Sequence, residues 1–190
     1  MAGVEAIRDV GDSLVAILRQ AVDPALIVPG RVHLAMPRDY EALDTANELA
    51  ISLFLYHTAI VPELRNAPRR IQPDGRSTLV LPLELGFLIT PWARDAGNAL
   101  LLAGMIARAF HEHAQLSAAQ LVGGPWRSDD SVQLMLESLP VEDHYRIWET
   151  TRVPYRLSLA YKARVIGIDA APLRDGPPVV DGDFQIGARR

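Results

Sequence analysis

One stretch of this chain is apolar on both sides of an extended backbone, and that limits what the chain can fold into. In Glu48–Val61, Leu49, Ile51, Leu53 and Leu55 fall on one face, and Phe54, Tyr56 and Ile60 on the other. A strand half-exposed to water alternates apolar with polar; a strand apolar on both faces needs cover on both. The spacing predicts a central strand in a sheet with layers above and below. Pro62 cannot donate to a ladder and ends it. Leu81–Trp92 predicts a second strand, with Leu83, Leu85, Phe87 and Ile89 on one face. Tyr155–Asp169 is the clearest alternation. Tyr155, Leu157, Leu159, Tyr161, Ala163 and Val165 form a core face, and Arg156, Ser158, Lys162 and Arg164 a basic, wet one.

Helices surround these strands. Ile7, Val10, Leu14, Ile17 and Ala21 repeat at three and four, one apolar stripe over residues 3–21, and Asp23-Pro24 closes it. Asp95 is placed to cap a helix running to Ala114, apolar nearly all round from Leu100 to Ile106 and so expected to be buried. Pro140 opens a short helix with Glu142 and Asp143 in its first turn and Val141, Tyr145 and Trp148 as its stripe. Short strands are expected at Arg31–Met36 and at Ser131–Glu137, the latter with Val132, Leu134 and Leu136 inward. Residues 38–47 read as a polar connector, 62–78 as a long loop with Pro62, Pro68 and Pro73, and 123–130 as another loop. The fold class expected is α+β: a mixed, largely antiparallel sheet flanked by helices over residues 1–169. Residues 170–190, rich in Pro, Gly and Asp, are expected to form a flexible C-terminal tail.

Several function classes fall away. The net charge of −4 argues against a general nucleic-acid binder, which shows a strongly basic face. The sequence has no cysteine, so disulfides, thiolate metal sites and cysteine nucleophiles are excluded. Glu5, Arg8, Asp9 and Asp12 stand where the apolar core of a signal peptide would lie, and the longest apolar stretch, Ala99–Ala107, is too short to cross a bilayer. Folding in the cytoplasm, with no membrane partner, is the expectation.

Catalytic and metal patterns are equally thin. His111-Glu112-His113 puts two histidines two apart, on roughly opposite sides of a helix, and lacks the spacing that brings two ligands to one face. His57 lies late in a strand, where packing is the simpler role. Gly123-Gly124 has no phosphate-loop lysine, and Asp129-Asp130 and Asp181-Gly182-Asp183 lack the further oxygen ligands and closing glutamate of a calcium loop. No catalytic, metal-binding or cofactor-binding residues are assigned, and no cofactor is expected.

What remains are residue types that anchor protein interfaces. Arg65, Asn66, Arg69, Arg70 and Arg76 cluster in the proline-marked segment after Ile60. Trp92 and Trp126 fall at a strand end and in a loop. Arg156, Lys162 and Arg164 line the basic strand face. On composition and spacing alone, a solvated loop with ring edges capping the core is an equal reading.

Six phrases in this order carry a resemblance: IRDVGDSLVAILRQ (7–20), ISLFLYHTAIVPELRNAP (51–68), LPLELGFLITPWA (81–93), HEH (111–113), VQLMLESLPVEDHYRIWETT (132–151) and PYRLSLAYKARVIGID (154–169). Together they resemble the N-terminal domain family of the tail-terminator, or cap, protein of extracellular contractile injection systems, which are phage-tail-like particles. The resemblance covers residues 4–169, with Val61 standing where relatives often carry a polar residue; the tail beyond is not covered. It implies a phage tail-terminator-like fold and a structural, non-enzymatic part. Six copies would form a ring on the inner tube, end tube and sheath growth, and hold the last sheath layer. The implied partners are further copies of the chain, the inner tube protein and the sheath protein, with assembly in the cytoplasm and release with the particle. It makes the Pro62–Arg76 segment an expected docking surface. The alternatives are an adaptor that forms no ring, and an enzyme whose site is assembled from distant residues.

Overall fold

The computed structural model describes residues 3–64, 70–71, 77–124 and 126–169. In chain order the elements are α1 (Ala6–Ala21), β1 (Val32–Leu34), α2 (Tyr40–Thr45), β2 (Ala50–Ile60), β3 (Arg70–Ile71), β4 (Ser77–Thr78), β5 (Val80–Trp92), α3 (Ala96–Glu112), β6 (Gln115–Ser117), β7 (Ser131–Leu136), α4 (Val141–Glu149) and β8 (Leu159–Asp169). Six strands form one sheet in the order β1-β2-β5-β8-β7-β6. β1 runs parallel to β2 and every other pair is antiparallel, so the fold is α+β on a mixed, mostly antiparallel sheet. β3 and β4 form a separate two-residue ladder.

The two-faced strands lie at the centre, as their apolar pattern requires. On one face Ile51, Leu53, Leu83, Leu85, Phe87, Ile89, Tyr161 and Ala163 meet α1 through Val10, Leu14 and Leu18, and α3 through Leu102, Ile106 and Phe110. The Phe110 and Tyr161 rings meet edge to face at 4.9 Å. On the other face Ala50, Leu88, Trp92 and Ala160 meet Tyr40 and Leu43 of α2 and Trp148 of α4.

A polar clip fixes α1 to the loop before β7. Asp9 and Ser13 are both buried. The Gly124 N–H donates to Asp9 Oδ2 (2.9 Å) and the Val122 N–H to Ser13 Oγ (2.8 Å), so two half-buried backbone donors of the loop are satisfied by one helix. Gly123 makes the approach possible. Its φ is +94°, and a Cβ there would stand 2.3 Å from the Asp9 carboxyl.

Several expectations need correction. The connector 38–47 contains α2, because Tyr40 and Leu43, three apart, bury one face of a single turn. The segment after Ile60 holds a 3₁₀ turn, Pro62–Leu64, and the β3–β4 ladder. β8 starts at Leu159, leaving Tyr155 and Leu157 partly exposed before it. Leu136 points to solvent, 61% exposed, since the cover on its face ends before the tip of β7. α3 buries only Leu102, Ile106, Ala109 and Phe110; Leu100 and Leu101 stand 64% and 48% exposed. An all-round apolar stretch does not imply all-round burial when one side meets no second layer. The expected tail, 170–190, lies outside the described residues.

Candidate interaction surfaces

β5 and β8 set a row of charge across the sheet on the α2/α4 side. Glu84 stands opposite Arg164, and Gly86 opposite Lys162. Lys162 Nζ lies 3.3 Å from Glu84 Oε1 and 3.0 Å from Glu137 Oε1, beyond the end of β7. Arg164 Nε lies 3.0 Å from Glu84 Oε2, without the alignment of a hydrogen bond, and its Nη2 lies 3.2 Å from Glu63 Oε2. The Tyr56 hydroxyl donates to Glu137 Oε2 at 2.7 Å. One chain of contacts thus runs Tyr56–Glu137–Lys162–Glu84–Arg164–Glu63 across β2, β5, β8 and the end of β7.

The two inner carboxylates are sheltered, with side chains 16% (Glu84) and 17% (Glu137) exposed. The hydrogen bond to Glu137, with Glu84 beside it, raises the Lys162 pKa against a smaller desolvation effect. Burial, then the hydrogen bond and charge of Glu137, push the Tyr56 phenol far above its ordinary value. A β-bulge between Leu55 and His57 throws Tyr56 out of register and its ring over Gly86. A Cβ on Gly86 would stand 2.9 Å from the Tyr56 ring, so glycine is what admits the ring.

The residues expected at an interface divide sharply. Arg65, Asn66, Arg69 and Arg76 lie outside the described residues. Arg70 is placed by its backbone alone, paired with Thr78. Trp92 is a correction: it is 2% exposed and its Nε1–H donates to Ser52 Oγ at 2.8 Å, so it offers no surface to a partner. Its ring packs on Tyr40 at 4.9 Å and Trp148 at 6.2 Å. Trp126 is half-buried against the α1/α3 core, its Nε1–H on Val122 O at 3.2 Å. Arg156 is ion-paired with Asp44 and donates to Ala93 O at 3.0 Å. Arg156, Lys162 and Arg164 are therefore each occupied by carboxylates of their own chain. The alternation showed three cations; it could not show that Asp44, Glu84, Glu137 and Glu63 converge on them from four other segments. The one visible signal was Glu84 inside an otherwise apolar strand.

His57 is exposed on β2, a correction to the packing role expected of it, because the cover on its face has ended by that point of the strand. His111 is exposed, and His113 Nδ1 lies 2.9 Å from Ala109 O at the helix end. Among the described residues no group of three His, Asp or Glu side chains comes together as a metal site, and no helix is long and apolar enough to cross a membrane.

The fold is shared with two solved structures. It aligns with the sheath/tube terminator of an extracellular contractile injection system in its extended state (TM-score 0.64, 18% identity) over 97% of this chain and 64% of that one. It aligns with the tube-terminating cap of the anti-feeding prophage (TM-score 0.63, 20% identity) over 93% of this chain and 60% of that one. The chain thus spans less than two thirds of either structure's length. The sequence matches the Pvc16 N-terminal domain family over residues 9–181, and the chain belongs to that family. The match runs past Asp169, where the six phrases stop. No curated protein sequence matches it.

Proposed function

We propose that this chain is a structural cap of a contractile injection particle. Copies form a ring on the end of the inner tube, stop tube and sheath polymerisation, and hold the last sheath layer. The observation that carries the reading is the agreement of fold with two terminator proteins across nearly the whole chain, joined to family membership. The chain would act by binding rather than by catalysis, in six copies, built in the cytoplasm and released with the particle. The Pro62–Arg76 segment is the proposed docking surface for a neighbouring copy, tube or sheath. Its arginines suit bidentate pairing with carboxylates, and its prolines lower the entropy lost on ordering. A ring contact is heterologous, one patch meeting a different patch on the next copy.

The test is particle length by negative-stain electron microscopy with the gene deleted and then restored. Overlong or ragged tubes that recover on restoration support the cap. Unchanged length with intact ends sinks it. The docking surface is tested separately by Arg65→Glu with Arg69→Glu, expected to leave the fold intact and abolish capping; capping that survives removes this segment from the interface.

A further inference from the structure

β2 is longer than the strand that covers its outer edge. β1 pairs with Ile51–Leu53 and then leaves the sheet. The Ala35 N–H donates to Leu53 O at 2.9 Å, so the odd-numbered residues of β2 turn their backbone groups towards β1 and the even ones towards β5. Leu55 is the next odd residue, and β1 does not reach it. The bulge then reverses the parity: the Val61 N–H donates to Pro82 O at 3.0 Å, so Thr58 and Ile60 turn their backbone groups outwards. Among the described residues nothing pairs with this edge. Leu55 to Ile60 contains no Lys or Pro, the residues that usually guard a free edge.

A groove of about 610 Å³ opens at the start of this vacant lane. Ile7, Gly11, Leu34, Leu53, Leu55 and Phe87 line it, with Arg8 and Arg38 also at the site. Asp12 and Asp39 already pair with these arginines, so what the groove suits is a strand with one apolar face.

The chain's own sequence beyond β8 has that pattern. Val180, Phe184 and Ile186 share one parity, with Gly182 between them; Asp181, Asp183 and Gln185 hold the other. The topology brings the segment to the correct end. Asp169 stands opposite Val80 and Ile60 opposite Leu83, so β8 finishes at the end of the sheet where the lane opens. The lane lies three strand spacings from β8, about 14 Å. Residues 170–178 can span about 30 Å when extended.

We infer that residues 179–186 of this chain add to the sheet as a strand antiparallel to β2, beside Leu55–Ile60, with Val180, Phe184 and Ile186 towards the groove. The apolar parity then meets the apolar lining, and the ladder groups of Leu55, Thr58 and Ile60 gain partners. This cover does not depend on the cap reading.

Amide-resolved hydrogen exchange on the full chain tests it. The Leu55, Thr58 and Ile60 amides should exchange at least about tenfold more slowly than in the Phe184→Asp/Ile186→Asp variant, while the β5 amides stay unchanged as the control for folding. Equal rates at the three edge amides would overturn the inference. Because the chain has no cysteine, Ala59→Cys, on the Glu84 side of the sheet and so on the side away from the groove, can be paired in turn with Asp181→Cys, Asp183→Cys and Gln185→Cys. An oxidised product of monomer mass from one of these pairs is expected. Products of dimer mass, which would assign the lane to another copy, or no product from any pair, would overturn it.

Discussion

The α2/α4 face of the sheet has two halves built from the same strands by opposite means. Near the start of β8, Leu88, Trp92 and Ala160 lie under Tyr40 and Trp148, and the half is dry and aromatic. A few residues along, Glu84, Lys162 and Arg164 hold the same face with charge, tied to Glu137 and Glu63. The change falls where the aromatic cover of α2 and α4 gives out. Under cover, apolar area is removed from water and polar groups need partners, as Trp92 finds in Ser52 and Trp148 in Ser158. Beyond it, water reaches the sheet, and charges persist because each has an opposite charge within reach. A sheet face is set by what lies over it as much as by its own alternation.

The largest effect should come from the dry half. Trp92→Ala empties the centre of the aromatic group and leaves Ser52 without its donor. Its expected cost is about 3–5 kcal/mol in denaturant-induced unfolding. A loss below about 1 kcal/mol would mean that Tyr40 and Trp148 collapse into the space, and that the aromatic packing is looser than the 4.9 Å ring contact suggests.

The charged half should respond less. Glu84→Gln removes the carboxylate shared by Lys162 and Arg164. A fully buried pair broken on one side costs about 3–5 kcal/mol; both cations here are about a third exposed, so the expected loss is about 1–2 kcal/mol after allowing for solvent screening. A double-mutant cycle with Lys162→Met should show coupling. No coupling would make the row a set of independent surface pairs.

Alkaline pH separates the halves further. The phenol pKa values of Tyr56 and Tyr40 are both raised, Tyr40 to about 12 by burial, and Tyr56 by burial and the Glu137 hydrogen bond. A phenol whose pKa is higher folded than unfolded gives stability that is fully present below pH 10 and is lost as pH rises through the folded value. Unfolding free energy should therefore decline above pH 10. Tyr56→Phe should remove the charged half's share of that decline and leave the share of Tyr40. An unchanged pH slope in Tyr56→Phe would show that its hydroxyl is solvated in the folded chain.

The central strands were legible because two-faced apolarity has one economical solution, a covered sheet, and β2 and β5 lie where Glu48–Val61 and Leu81–Trp92 placed them. The N-cap at Asp95 was legible because capping is local: its carboxylate accepts the Asn98 N–H at 2.9 Å. Asp9 and Ser13 were not, since their partners lie more than a hundred residues away in the loop at Val122–Gly124. Trp92 was misplaced for the same reason, because a strand end reads as surface until α2 and α4 are folded over it. Of the interface set, the sequence supplied cations, and the fold supplied the carboxylates that already hold three of them.

The smallest predicted effect bears on the helix that sequence reading expected to be buried all round. Leu100 and Leu102 are both leucines in one apolar run, two positions apart and so on different sides of α3. Leu102 is fully buried and Leu100 is 64% exposed. Leu102→Ala should cost about 2–5 kcal/mol, whereas Leu100→Ser should fall within about 0.5 kcal/mol of the parent chain. Paired thermal and denaturant unfolding of the two variants makes the comparison. If Leu100→Ser in the isolated chain proved as costly as Leu102→Ala, the outer side of α3 would be covered in solution, and the apolar run would be core on both sides after all.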